Sequence, residues 1–218
     1  MPILQKIVIS NFRNIEFQEL AFSPKINCIW GNNGEGKTNL LDAVYYLSMT
    51  KSALGLSDGF NCRHGQDGFS IAGTCLMPSA LKNRFSIVVK KGEEKKLRCD
   101  DKPYGRISEH IGKLPTVIIS PSDISLVSDS GEERRRFMNA VISQIDREYL
   151  SALQQYNRLL AQRNRMLKDG ASDATLLEII DMKMSSHADF IHRKRAELCG
   201  PLTEAVNEYY RRLSGGGE

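Results

Sequence analysis

The chain has 218 residues, 41% of them hydrophobic and 26% charged, with a formal net charge of +4. That length suits one large domain or two small ones, and the composition is that of an ordinary globular protein. No apolar run approaches the ~20 residues that cross a bilayer, which excludes a helical membrane protein. The mild positive charge permits a nucleic-acid partner without demanding one. The opening residues, MPILQKIVIS, lack the basic region, apolar core and cleavage site of an export signal, so a cytoplasmic protein is expected. Five cysteines (Cys28, Cys62, Cys75, Cys99, Cys199) are odd in number and scattered, with no C-x-x-C pair. That argues against a disulfide framework or zinc knuckle and fits a reducing compartment.

Taken in order, the first third reads as strands with one helix. Ile3, Ile7 and Ile9 share one side of a strand by period-two spacing, with Val8 on the other. IEFQELAF, from Ile15 to Phe22, alternates in the same way, and INCIW is a short apolar strand ending at Gly31. Thr38 to Met49 switches to helical period, with Leu40, Leu41, Val44, Tyr45 and Leu47 on one broad face. Three β-like segments, FSIAGTCL, RFSIVVKK and KKLRCD, follow between Phe69 and Asp101, separated by turn formers at Pro78-Ser79 and Gly92. TVIIS, after Pro115, reads as a buried-type strand stopped by Pro121.

Beyond Ser130 helix formers dominate, and Pro201 is the only later proline. Tyr149, Leu153, Tyr156, Leu160 and Leu167 recur at helical spacing and predict an amphipathic helix of about five turns. KDGASD breaks it near Gly170; a second long helix is predicted from Ala174 to Leu213, bent at Gly200-Pro201. A domain boundary is expected near residue 130, with a mixed α/β part over 1–130 and a helical arm over 131–218.

The most informative stretch is Gly31-Asn32-Asn33-Gly34-Glu35-Gly36-Lys37-Thr38, which satisfies G-x-x-x-x-G-K-[ST]. The glycines adopt backbone angles closed to other residues and let main-chain amides approach a ligand. Those amides form an anion nest at the start of a helix whose dipole favours negative charge. Lys37 can then reach the β- and γ-phosphates of ATP, and the Thr38 hydroxyl can hold Mg²⁺.

Phosphoryl transfer also needs a metal-holding carboxylate after an apolar strand. None is found: in TVIISPSD three residues separate Asp123 from the strand. Either the chain is a fragment, or it binds nucleotide without completing hydrolysis. The final RRLSGGGE superficially resembles the L-S-G-G-Q signature of ABC-type ATPases, but Leu213-Ser214-Gly215 reads physically as a helix ending in a glycine cap.

ISNFRNIEFQELAF, GNNGEGKTNLLDAVYYL, LPTVIISPSDISLVSDSGEERRRFMN and YNRLLAQRNRMLK appear in that order. Together they resemble the RecF family, bacterial DNA replication and repair ATPases related to the SMC and ABC-type ATPases; the third stretch is the most specific. The resemblance covers essentially all 218 residues, and RecF chains are longer, so the chain is read as an amino-terminal fragment lacking the signature motif and second carboxylate. What it implies is an α/β, ABC/SMC-type P-loop ATPase lobe with an antiparallel β-subdomain, followed by a long-helix subdomain. Its function would be that of an ATP-dependent homodimer binding DNA at gaps, where duplex meets single strand, and helping RecA displace single-strand-binding protein with RecO and RecR. Gly31 to Thr38 become the nucleotide site. One departure is that Lys51 precedes Ser52, where family members often carry a basic residue closely following a serine.

From Gly131 to Lys168 eight Arg and Lys face four acids. Arg134, Arg135, Arg136, Arg158 and Arg165 are the candidate DNA contacts; a solvated helix face is the equal alternative. Arg13 reads first as a structural ion pair. His187 and His192 lie about 140° apart on a helix, which places them poorly for a shared metal. A P-loop kinase of nucleotide metabolism, with ERRRF as a phosphate clamp, is the alternative enzyme class.

Overall fold

The computed structural model describes residues 1–170 and 173–216. Two residues of the KDGASD break and the last two of the glycine-rich tail therefore lie outside the described residues. The chain divides into two compact units, Met1–Asp123 and a second beginning at Ile124.

The first unit is built on a six-stranded antiparallel sheet. Its strands are β1 (Ile3–Phe12), β2 (Ile15–Ala21), β3 (Gly68–Leu76), β4 (Lys82–Lys90), β5 (Lys96–Cys99) and β6 (Lys102–Pro103), in the order β2-β1-β3-β4-β5-β6. Alternation decides which side each residue takes. Ile7 and Ile9 of β1, Phe69, Ile71 and Cys75 of β3, Phe85 and Ile87 of β4 and Leu97 of β5 are all buried on one face. Helix α1 (Lys37–Met49) lies on that face through Leu40, Ala43, Tyr46 and Leu47. Phe12, Tyr46 and Phe69 stack edge to face at 5.2–5.9 Å. A β-carbon on Gly73 would collide with Leu47, so the glycine sets how closely α1 approaches β3. Burial of each such side chain stabilises by roughly 1.5–3 kcal/mol. The short helix α2 (Asp58–Asn61) follows α1, and Cys62 bridges Phe12.

Two predicted strands are absent. Ile26–Trp30 and 116–120 are irregular, with Ile26 83%, Trp30 91%, Val117 74% and Ile119 84% exposed. A strand needs a hydrogen-bonded neighbour, and among the described residues no strand of the sheet pairs with either segment. Leu41, expected on the apolar face of α1, is 47% exposed, whereas Asp42 is fully buried.

The second unit is helical: α3 (Ser125–Ser128), α4 (Gly131–Ile145), α5 (Arg147–Lys168) and α6 (Ala174–Leu213). Side-chain caps start the three long helices. Ser130 accepts from the Glu132 amide, Asp146 from Tyr149 and Asp173 from Thr175 and Leu176. Met138, Ile142, Tyr149, Ala152 and Ile191 form the core between α4, α5 and α6. α6 runs unbroken through Pro201, although proline removes one backbone bond. Past its end Gly215 is left-handed, and the Gly216 amide donates to the Arg211 carbonyl at 3.1 Å, a glycine-based cap.

Candidate nucleotide site

The loop from Gly31 to Gly36 leads into α1, and all three of its glycines have positive φ: 149° at Gly31, 85° at Gly34 and 95° at Gly36. Gly36 is the N-cap of α1 and offers no side chain, and the first turn carries no acid. The first helical bond is donated by Leu40, to the Gly36 carbonyl at 2.8 Å. The amides ahead of it have no helical acceptor, so the helix opens on a set of donors at its positive end.

The loop already attracts an anion from within. The Glu35 carboxylate accepts from the Asn32 amide at 2.9 Å and from the Asn32 side chain at 2.8 Å. Lys37 folds back across the loop and donates to the carbonyls of Gly31 at 2.8 Å and Asn32 at 2.6 Å. An ammonium over the loop, a hydroxyl one residue on at Thr38, and unengaged amides at a helix start form the donor set that a polyphosphate and a hard divalent cation require. Asn33 and Thr38 are exposed beside them.

Of the support beneath this loop, sequence reasoning read Arg13 as a structural ion pair without its partner, and missed Asn14 and Asp42. The turn between β1 and β2 is Arg13-Asn14, with Arg13 held at φ 53°. Asn14 donates to the Gly34 carbonyl at 3.0 Å and accepts from Asn39 at 2.7 Å. A β-carbon on Gly36 would lie 2.7 Å from the Asn14 carboxamide oxygen, so only glycine fits both the backbone angle and the space. Arg13 donates to Asn39, Asp42, Ser52 and Asn61. A left-handed arginine persists where its surroundings fix it this firmly. The available signal was Asp42, a carboxylate among buried helix positions, which demands a partner. Ser52 belongs to this network, donating to Asp42 at 3.0 Å.

The candidate DNA residues are spread along α4 and α5. Arg134 donates to the carbonyls of Leu126 and Asp129, and Arg136 pairs with Glu133 at 3.1 Å. Arg135 folds over Gly131. Arg158 is exposed on α5, as is Arg165, which pairs with Asp169 at 3.7 Å. Asp123 is used locally, accepting from the Ser120 amide at 2.7 Å. Among the described residues no three His, Cys, Asp or Glu side chains converge as a metal site, and no helix is long and apolar enough to cross a membrane.

An antiparallel sheet backed by a helix that starts at a phosphate loop, followed by long helices, is the fold of a P-loop ATPase head with a helical extension. The family model described as AAA domain matches residues 6–195, and the chain belongs to that family. Within it the similarity is to RecF. The DNA replication and repair protein RecF of Parabacteroides distasonis is 41% identical over 216 residues, covering 99% of this chain and 59% of the relative. RecF of Bacteroides fragilis is 41% identical over 97% of this chain and 58% of its own length. A solved structure of the recombination mediator protein RecF with ATP, in the RecFOR pathway, superposes with a TM-score of 0.91 at 29% identity, over 98% of this chain and 58% of that one. An SMC ATPase structure, with a TM-score of 0.52 at 17% identity over 66% of this chain and 99% of that one, shares the fold. The chain thus spans less than two thirds of the length of these RecF relatives.

Proposed function

We propose that the chain binds ATP with Mg²⁺ at Gly31 to Thr38 and serves DNA replication and repair in the manner of RecF. The observation that carries this is the uncapped start of α1, wrapped by three left-handed glycines with Lys37 across them, in a chain 41% identical to RecF over nearly its whole length. The amides of the loop and of the first turn of α1 would hold the β- and γ-phosphates, Lys37 would turn from its own carbonyls to the phosphate oxygens, and Thr38 would hold the metal. The metal supplies charge neutralisation between phosphates. Residues up to 130 form the ATP-binding lobe, and the residues from 131 onward form the helical arm.

The finer reading follows the relatives: a nucleotide-dependent homodimer that binds DNA at junctions of single strand and duplex, through arm residues such as Arg158 and Arg165, and acts with RecO and RecR on RecA. Hydrolysis by the 218 residues alone is expected to be slow, because no carboxylate directly follows an apolar strand near the loop. Calorimetry with ATP and Mg²⁺ tests the reading. Saturable heat that disappears in Lys37→Ala supports it, and an absence of heat with the intact chain overturns it.

A further inference from the structure

The sheet has α1 on one face only, and the opposite face carries its own pattern. Three rows of paired residues cross it: Phe17, Ser10, Ser70, Val88 and Lys96; Glu19, Val8, Ala72, Ser86 and Arg98; and Ala21, Lys6, Thr74 and Arg84. The middle of this face is small: Ser70, Ala72, Ser86 and Val88 floor a concavity of about 390 Å³. Its rim holds Arg84, Lys90, Lys96 and Arg98, with Asp101 4.0 Å from Arg84 as the acid on the rim. A second concavity of about 450 Å³ shares Ser70, Val88 and Lys90 and extends the first toward Ser10 and Asn11.

Charge is concentrated here. Lys82 to Lys102 holds eight Lys and Arg against four acids, of which Lys95 turns to the α1 side and pairs with Asp58, and the residues of the first unit carry sixteen against twelve. The chain's surplus of +4 therefore resides in this unit, while the remaining residues balance at fourteen of each sign. On the β2 side Lys6 is neutralised by Glu19 at 2.6 Å. On the β4–β5 side Lys90 and Lys96 share the single carboxylate of Glu93, at 3.8 and 2.7 Å. Arg84 and Arg98 are diagonal neighbours on adjacent strands, close enough for their long side chains to share one ligand. Gathering cations on a floor of small residues costs stability unless a polyanion occupies it. The outward residues of β4 from Lys82 to Lys90 extend about 27 Å, the length of several nucleotides rather than of one small anion.

We propose that this uncovered face of the sheet, centred on Arg84, Lys96 and Arg98, is a track for the phosphodiester backbone of nucleic acid. The proposal rests on the reading of the chain as a DNA-acting protein, and it adds a backbone-binding surface on the first unit to the arginines proposed on α5. Contacts are to phosphates through cations and serine hydroxyls, so affinity is independent of sequence and falls steeply with salt.

The test is fluorescence anisotropy of labelled single-stranded and duplex oligonucleotides with the 218-residue chain, titrated across salt. Arg84→Gln/Lys96→Gln/Arg98→Gln is expected to weaken binding at least tenfold at about 0.1 M salt and to lower the log–log salt slope by about 2–3. Arg84→Lys/Arg98→Lys retains both affinity and slope, and Lys96→Gln alone lowers the slope by about 1. Unchanged affinity in the triple variant, with loss in Arg158→Gln/Arg165→Gln instead, overturns the proposal and leaves the DNA reading standing. Failure of the unsubstituted chain to bind either oligonucleotide, with and without nucleotide, overturns both.

Discussion

The guanidinium of Arg13 lies 2.5 Å from the Asp42 carboxylate and joins the β1–β2 turn to the middle of the phosphate-loop helix. The Asp42 side chain is fully buried, and its second oxygen accepts from the Ala53 amide at 2.7 Å. Removing the arginine leaves a charged group in the interior with too few partners, which costs about 3–5 kcal/mol. Arg13→Ala is therefore expected to lower the unfolding free energy by that amount in urea denaturation. Asp42→Ala added to it should cost much less than the sum of the two single losses. A single-variant loss below ~1 kcal/mol would place the pair with ordinary surface ion pairs and refute its supporting role.

Glu35 competes for the site that its own loop builds. Its carboxylate holds the Asn32 amide, one of the donors a triphosphate would use. Glu35→Ala is expected to tighten Mg·ATP binding by up to about tenfold, the equivalent of one charge-assisted hydrogen bond. Lys37→Ala should abolish the nucleotide-dependent rise in Tm without moving Tm in buffer alone. Isothermal titration and thermal melts of both variants check the pair of outcomes, and weaker binding by Glu35→Ala would show that the carboxylate assists the nucleotide.

His110 makes the first unit sensitive to acid. The ring is 1% exposed, Nε2 donates to the Leu47 carbonyl at 2.7 Å, and Phe85 and Tyr104 pack edge-on against it. Burial lowers its pKa and Lys113 adds to the effect, while the bond to Leu47 works in the opposite direction. Below the ordinary imidazole value of about 6.5 the unfolded chain takes up a proton that the folded chain resists. Stability is therefore full above that pH and falls on acidification, by up to about 1.4 kcal/mol per pH unit until the folded ring also protonates. His110→Gln should flatten the stability profile on the acid side of about pH 6.5. An unchanged slope would assign the acid sensitivity to other groups.

In the helical unit, the buried Tyr149 hydroxyl donates to Asn139 at 2.5 Å and accepts from Arg195 at 3.2 Å, while Arg195 also donates to Asn139 at 3.0 Å. Tyr149→Phe keeps the ring in the core but leaves two polar groups short of a partner. A loss of about 1–3 kcal/mol is expected in chemical denaturation, and a neutral result would show that Arg195 and Asn139 satisfy each other.

Strands β1 to β5 were legible because alternation marks a half-buried antiparallel strand with a single face to satisfy, although the bulge between Leu4 and Lys6 puts Leu4, not Ile3, on the face of Ile7 and Ile9. Helix α6 was legible to its ends, since Asp173 caps one and the glycines close the other. INCIW and TVIIS carry the composition of buried strands, but composition alone supplies no hydrogen-bonding neighbour. The phosphate loop could be read because its glycines, lysine and threonine lie within eight residues. Of its scaffold only the ion-pair role of Arg13 could be read, because Asp42 and Asn61 meet that residue only through the tertiary fold. The cation-lined face of the sheet was hidden in the same way, since strand pairing, not sequence spacing, sets Arg84 beside Arg98.

The chain contains one tryptophan, Trp30, which stands 91% exposed and directly precedes Gly31. Its indole is a built-in optical probe at the entrance to the phosphate loop. Emission from an otherwise unlabelled sample reports on that one peptide segment, so covering by nucleotide, nucleic acid or a second polypeptide will register as a change in colour or intensity at a known position.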